Sequence, residues 1–180
     1  MFLRGGKMLS TARTENYNLH QRILFDAGLF IGALLKNDPR YNEARALVEQ
    51  ARLGNLPVCT TASILGEVYG ALTWEKAEPP HTSMEAAEAV RLLVEPPSAI
   101  QIIEEGMEAI LCALNLAAQH KLTARRIHDA RHAGAALSSG IRKIYTYDIK
   151  DWQPFEQNGL EIVGPDSIMT YLRRKVNKEI

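Results

Sequence analysis

Short apolar runs alternate along the chain with longer segments whose apolar residues recur every three or four positions. Runs of this length are typical of buried strands, and recurrence at that spacing is typical of amphipathic helices. Five strands are expected, at 23–25, 56–60, 99–103, 143–147 and 160–163. Strands that alternate with helices predict an α/β protein with a central, mostly parallel sheet of about four to five strands, covered by helices on both faces in three α/β/α layers.

Local signals mark where several of the helices begin and end. Asp38-Pro39 predicts an N-cap and the first helical position of a helix that ends at Gly54. The sequence TSME at 82–85 has the form of a capping box, and its helix ends before Pro96-Pro97. Further helices are expected after the second strand, around 107–118, from about 126 to 138, and from near Ser167.

The length and composition fit one ordinary globular domain. The chain has 180 residues, of which 46% are hydrophobic and 23% are charged. Residues 1–22 form a polar lead-in that we expect to be partly disordered, and residues 23–180 are expected to form the domain. The formal net charge is zero, which argues against a strongly basic nucleic-acid-binding arm but leaves local basic patches open.

The two cysteines and the apolar runs bear on the compartment. Cys59 and Cys112 stand in apolar surroundings and lack metal-binding spacing, so free thiols in a reducing cytoplasm are expected. The apolar run AGLFIGALL at 27–35 is too short to span a bilayer, and the first residues lack the apolar region of a signal peptide. We expect a cytoplasmic protein without a membrane span.

Two carboxylates directly follow predicted strands. Asp26 follows the first strand, and Asp148 follows the fourth. Because ligands of open α/β sheets bind outside the carboxyl ends of the strands, both side chains are expected in one crevice. Thr60 and Thr61 end the second strand at the same edge.

Two more acids lie on the margins of predicted helix stripes. At about 100° per residue, Glu67 lies about 60° from Ile64, and Asp129 lies about 20° from Ala136. Ordinary structural roles remain open for all of these acids, as turn caps, turn residues or partners of arginines. As a group they would repel one another, because two carboxylates about 4 Å apart cost roughly 4 kcal/mol at an effective dielectric near 20. Without histidine or cysteine in the set, oxygen ligands favour Mg²⁺ or Mn²⁺ over Zn²⁺.

The order of these motifs resembles that of the PIN-domain nucleases over about residues 22–168. The matching stretches are LFD at 24–26, TTASILGEV at 60–68, HDA with small residues at 128–136, TYDIKDW at 146–152 and LEIVGP at 160–165. The resemblance implies a PIN-like domain that cleaves RNA phosphodiester bonds as a metal-dependent endoribonuclease. The expected catalytic and metal-binding residues are Asp26, Glu67, Asp129 and Asp148, with Asp151 competing with Asp148 for the fourth position.

Other residues receive supporting roles under this interpretation. Thr146, and with it Thr60 or Ser63, would orient the metal ligands or the substrate from behind. The basic residues expected to contact RNA phosphates are Arg125, Arg126, Arg131 and Lys143, although a solvated helix face is an equal alternative. Trp74, Tyr147 and Trp152 are candidates for stacking on bases, or for packing.

The resemblance extends to the VapC-type toxins within the family. It implies an antitoxin protein as partner and a homodimer, in addition to the RNA substrate. One departure from the family pattern is Ala27-Gly28, where polar residues usually follow the first aspartate. That departure keeps open a catalytically degenerate PIN-like module that binds RNA or protein.

Two rival chemistries use other residues. His128 and His132 stand at i and i+4, a spacing that suits a zinc hydrolase, but both are expected outside the buried stripe of their helix and no clear third ligand follows. A phosphotransferase with Asp26 as nucleophile would require a second aspartate at the position of Gly28.

Overall fold

Five short strands form one sheet in the computed structural model, which describes residues 21–164. The strands are β1 (Ile23–Phe25), β2 (Val58–Thr61), β3 (Gln101–Ile103), β4 (Lys143–Tyr145) and β5 (Glu161–Val163). Their order is β3-β2-β1-β4-β5, and every pair of neighbours is parallel. The expected parallel sheet of four to five strands is confirmed, with β1 at its centre.

Helices flank the sheet in a three-layer α/β/α arrangement. They are α1 (Ala27–Leu34), α2 (Tyr41–Arg52), α3 (Ala62–Leu72), α4 (Ser83–Val94), α5 (Met107–Gln119), α6 (Ile127–Ser138) and α7 (Ile149–Trp152). Short 3₁₀ helices occupy Ala124–Arg126 and Gln153–Asn158. Helix α1 packs against α2 and α3, and α5 packs against α6. Among residues 21–164, no helix has both the length and the apolar character needed to cross a membrane.

Several local expectations need correction. Helix α2 begins at Tyr41, and Asp38 is not its N-cap, because its carboxylate accepts hydrogen bonds from the Arg40 backbone N–H (2.8 Å) and guanidinium (2.9 and 2.7 Å). Strand β4 ends at Tyr145, so Thr146 lies beyond it. The capping box of Thr82 and Glu85 is confirmed. The helix expected near Ser167 and most of the N-terminal lead-in lie outside the described residues.

The core concentrates large side chains at the carboxyl end of β1. Phe25 is fully buried, and its ring lies 6.1 Å from that of Phe30 and 5.6 Å from that of Tyr145. Trp152 packs against Phe155 at 5.9 Å between ring centroids, beside this region of the sheet. Helix α1 starts at the residue after Asp26, so the central strand passes directly into a helix at a packed edge. This arrangement fixes where the Asp26 side chain emerges.

Small residues allow α6 to approach α5 closely. A Cβ added at Gly134 would lie 2.6 Å from the Ala109 carbonyl oxygen and 2.7 Å from the Ala113 nitrogen. Both atoms belong to the α5 backbone and have little freedom to move. The absence of a side chain at Gly134 therefore sets the distance between the two helices, and with it the position of Asp129 and His132 on α6.

Replacing Gly134 with alanine is expected to destabilise the protein because the new methyl group would displace the α5 backbone. We expect Gly134→Ala to lower the free energy of unfolding by about 1–3 kcal/mol, measured by urea denaturation. Gly70→Ala on α3 is the matched control, since an added Cβ there meets no atom within 4 Å. It should raise stability by about 0.5–1 kcal/mol. Equal effects of the two substitutions would contradict the packing argument.

Candidate functional site

The carboxylate of Asp26 is held by donors from three parts of the chain. Its Oδ1 accepts the Ala27 backbone N–H at 2.8 Å, as the N-cap of α1. Its Oδ2 accepts the hydroxyl of Thr146 at 2.7 Å and the indole N–H of Trp152 at 3.3 Å. These hydrogen bonds offset the cost of placing a carboxylate between two apolar segments. Thr146 therefore has the contact with Asp26 that its expected supporting role requires.

Thr146 also connects Asp26 to the next acid in the chain. It is fully buried, and its hydroxyl oxygen accepts the Asp148 backbone N–H at 2.9 Å. One side chain thereby donates to the first aspartate and fixes the turn that carries Asp148. The expectation that the ends of β1 and β4 bring their acids into one region is met by this shared contact.

Four aspartates influence one another electrostatically at this edge of the sheet. We call Asp26, Asp129, Asp148 and Asp151 the aspartate cluster. Burial raises the pKa of Asp129 to about 6, with further contributions from the charges of Asp26 and Asp151. Burial, the charge of Asp151, a hydrogen bond with Asp151 and the charge of Asp26 raise the pKa of Asp148. Burial and the neighbouring carboxylates thus both disfavour the charged forms of Asp129 and Asp148, and a bound cation would favour those forms.

Glu67 lies with histidines rather than in direct contact with the aspartates. Its Oε1 lies 3.0 Å from Nε2 of His132 and 3.7 Å from Nδ1 of His128. Burial raises the pKa of Glu67, but the hydrogen bond with His132 and the charge of Arg131 outweigh burial and hold this pKa below its usual value. Within residues 21–164, no three side chains of His, Cys, Asp and Glu converge as a ready-made metal site.

The expectation that both histidines lie outside the buried stripe is wrong for His132. Its side chain is 2% exposed, whereas that of His128 is 51% exposed. Since about 40° separates His132 from Ala136 on a helix, its i+4 relation to a buried alanine was the available signal. Both of its ring nitrogens have partners, Thr61 Oγ1 at 3.3 Å and Glu67 at 3.0 Å. This arrangement argues against a zinc site built on the histidine pair.

The other two expected supporting residues do not contact the aspartate cluster. Thr60 is buried, and its hydroxyl donates to the Phe25 carbonyl oxygen at 3.5 Å. Ser63 accepts a hydrogen bond from the Arg131 guanidinium, and its backbone N–H donates to Glu105 Oε2 at 2.9 Å. Glu105, which also lies 3.7 Å from Arg131, was not among the expected site residues. Its place just after β3, at the same edge of the sheet, was the signal that could have found it.

The expected RNA-binding residues are distributed unequally. Arg126 donates to the Asp151 carbonyl oxygen at 3.2 Å and lies 3.8 Å from its carboxylate, next to the aspartate cluster. Arg125 is exposed beside it. Lys143 is the first residue of β4, so it lies at the amino-terminal end of the strand, opposite the end that carries the acids. There it pairs with Glu161 at 3.1 Å. The structure therefore brings the arginines, but not Lys143, to the side that carries the acids.

The aromatic candidates also separate. Trp152 is 1% exposed and donates to Asp26, so its ring is not available to stack on a base, while Trp74 is 58% exposed. The Tyr147 hydroxyl donates to Glu43 Oε1 at 3.2 Å. A Cβ at Gly28 would lie 3.6 Å from the Tyr147 ring, an ordinary contact distance. Gly28, where the resembled family carries a polar residue, therefore lies beside the Tyr147 ring.

The raised pKa of Asp129 predicts a pH-dependent stability of the metal-free protein. A free aspartate has a pKa of about 3.9, so the folded chain retains a proton that the unfolded chain has released. Stability should therefore fall as the pH rises from about 4 to about 6. Asp129→Asn removes this loss. We expect the variant to be more stable than the wild type by about 1–2 kcal/mol near pH 7 and nearly equal near pH 4, measured by urea denaturation with EDTA present.

The exposed Glu104 provides the control for this measurement. Glu104 is not among the charges that act on the pKa of Asp129 or Asp148, so Glu104→Gln should change stability little at either pH. A stability gain from Asp129→Asn that is the same at both pH values would contradict the raised pKa.

Comparison with solved structures supports the assignment of the fold. VapC20 of Mycobacterium tuberculosis, a sarcin–ricin loop cleaving toxin, aligns with 72% of this chain and 92% of its own, with a TM-score of 0.56 and 18% identity. VapBC2 of Rickettsia felis, bound to a DNA fragment from its promoter, aligns with 79% of this chain and 98% of its own (TM-score 0.55, 14% identity). FitAB bound to the IR36 DNA fragment aligns with 79% of this chain and 94% of its own, with a TM-score of 0.53 and 12% identity.

Sequence comparison gives no match to a protein-family model or to a curated protein. At 12–18% identity, the structural likenesses show the fold alone. The chemistry has to be argued from the residues of this chain. The chain has a VapC-type PIN fold, as the order of its motifs predicted.

Proposed function

We propose that the protein is a metal-dependent endoribonuclease that hydrolyses RNA phosphodiester bonds at the aspartate cluster and Glu67. The observation that carries the proposal is the charge in the cluster, where burial and neighbouring carboxylates raise the pKa of Asp129 to about 6 and raise that of Asp148 as well. Such a group of oxygen donors fits a hard divalent cation such as Mg²⁺ or Mn²⁺, which would relieve the repulsion.

The proposed ligands come from separate elements of the fold. Asp26, Asp129 and Asp148 would hold the cation, with Asp151 as the alternative to Asp148 and Glu67 completing the set. Mg²⁺ or Mn²⁺ bound there would supply activation of water and neutralisation of charge on the attacked phosphate. Thr146 and Trp152 orient Asp26 by donating to its Oδ2 at 2.7 and 3.3 Å. No covalent nucleophile is required.

Arginines next to the cluster would bind the RNA. Arg126 contacts Asp151, and Arg125 is exposed in the same short helix. Arg131, one helical turn after Ile127, donates to Ser63 and keeps a side chain that is 35% exposed. Their guanidinium groups suit phosphate oxygens, which would place the RNA backbone over the carboxylates.

The partners follow from the fold likeness as part of the same proposal. VapC20 is a toxin that cleaves the sarcin–ricin loop. By analogy, we assign this chain to a cytoplasmic toxin–antitoxin pair, with RNA as substrate, an antitoxin protein as partner and a homodimer as its assembly. Supporting this analogy, the match extends over 92% or more of each of the three solved chains.

A non-catalytic PIN-like module that binds RNA or protein is the second candidate. The observation that favours it is the Ala27-Gly28 pair after Asp26, where the resembled family carries polar side chains. Under this candidate the arginines would still bind phosphates, but no bond would be broken.

Cleavage of RNA with and without EDTA tests the proposal. Purified protein in Mg²⁺ or Mn²⁺ should cleave RNA, EDTA should abolish cleavage, and Asp26→Asn and Asp129→Asn should each reduce the rate at least about 100-fold, or about 2.7 kcal/mol in activation free energy. Glu88→Gln is the control, because that carboxylate is exposed on α4. The rate should be measured by the loss of labelled RNA on denaturing gels.

Two results would count against the nuclease. Cleavage that persists in EDTA, or that is unchanged in both aspartate variants, would exclude the proposed site. RNA binding without cleavage by the folded wild-type protein would instead support the non-catalytic module.

A further inference from the structure

His132 is a buried polar side chain without a role in the mechanism proposed above. It is 1% exposed on α6, a helix that otherwise buries alanines and a glycine. Its ring lies between two residues of another element, Thr61 at the N-cap of α3 and Glu67 within α3. A buried imidazole with partners at both nitrogens bridges α6 to α3.

The hydrogen-bond directions follow from the carboxylate. Glu67 Oε1 accepts, so Nε2 of His132, 3.0 Å away, carries a ring proton and donates it. In the neutral ring Nδ1 is then an acceptor for the hydroxyl of Thr61, 3.3 Å away. The oxygen of the same hydroxyl accepts the Ile64 backbone N–H at 3.1 Å. The helix terminus, Thr61, His132 and Glu67 form one directed chain of hydrogen bonds.

This chain restrains a side chain that otherwise has considerable freedom. Glu67 is 37% exposed, and a glutamate has several rotatable bonds whose ordering costs entropy. His128 also approaches Glu67, but at 3.7 Å and from a side chain that is 51% exposed, so its hold is weaker. Both histidines approach Oε1, which leaves Oε2 for another ligand. His132 is thus the anchored contact of this carboxylate.

We propose that His132 is a positioning residue that fixes the Glu67 carboxylate for a divalent cation through the Thr61–His132–Glu67 chain, an inference that rests on the nuclease function proposed above. Carboxylates that bind metals are commonly held by a further hydrogen bond, and loss of such a partner weakens metal affinity about 10–100-fold. A histidine that only fills the core would have no such effect on the metal.

Two substitutions of His132 distinguish the roles of its two ring nitrogens. The amide of glutamine reaches about as far as Nε2, and that of asparagine only about as far as Nδ1. His132→Gln therefore keeps a donor for Glu67, whereas His132→Asn keeps a partner only for Thr61. We expect Mn²⁺ to bind His132→Asn about 10–100-fold more weakly than the wild type, and to bind His132→Gln nearly as well as the wild type.

Manganese affinity is measured without RNA, by electron paramagnetic resonance of free Mn²⁺ or by calorimetry, and cleavage rates at saturating Mn²⁺ are compared afterwards. His128→Gln is the matched control and should bind Mn²⁺ like the wild type. Equal Mn²⁺ affinities for the glutamine and asparagine variants would overturn the role of His132 while leaving the nuclease proposal intact. Failure of the wild-type protein to bind Mn²⁺ would overturn both proposals.

The wild-type protein provides a second test if a variant fails to fold. Long-range ¹H–¹⁵N correlation of the His132 ring should show the tautomer with its proton on Nε2. The tautomer with its proton on Nδ1 would overturn the inference, because the ring would then have no proton to donate to Glu67.

Discussion

The carboxylate of Asp26 joins three separate parts of the chain at the carboxyl edge of the sheet. It caps α1 through Ala27, and it accepts hydrogen bonds from Thr146 after β4 and from Trp152 in α7. An unpaired carboxylate at this position would be costly, since it lies between a buried strand and a buried helix. The same contacts that make it tolerable also place the turn carrying Asp148. The contacts of Asp26 therefore belong both to the site and to the packed end of the sheet, and a change at Asp26 should affect both.

Asp129, Asp148 and Asp151 add negative charge near Asp26, and the repulsion among these carboxylates opposes their burial. Burial of Asp129 and the nearness of Asp26 and Asp151 raise the pKa of Asp129 to about 6, so the metal-free fold carries an electrostatic cost near neutral pH. A site that binds cations has this property, because the ion repays the repulsion among its ligands. The pKa of Glu67 is shifted in the other direction, because the hydrogen bond from His132 lowers it. The pKa of Asp129 is thus raised by burial and by neighbouring carboxylates, whereas the pKa of Glu67 is lowered by a hydrogen-bond donor.

Close packing of α6 is what allows that donor to reach. Gly134 lets the α6 backbone lie against α5 without a Cβ, and alanines occupy neighbouring buried positions on α6. The helix that carries Asp129 also carries His132, whose ring crosses to Thr61 and Glu67 on the neighbouring α3. A small shift of α6 would therefore move a charged carboxylate and a hydrogen-bond donor together.

Alternating short apolar runs and helical stripes were sufficient to predict the parallel sheet, its strands to within a few residues, and the acids after β1 and β4, because strand and helix periods are local properties of the chain. The capping box at Thr82 is likewise local. The contacts of Trp152 with Asp26 and of His132 with Thr61 and Glu67 were decided by the tertiary structure. Each joins residues more than sixty positions apart, so no local pattern records it. His132 was expected outside the buried stripe of its helix, and partners supplied by another helix made its burial favourable.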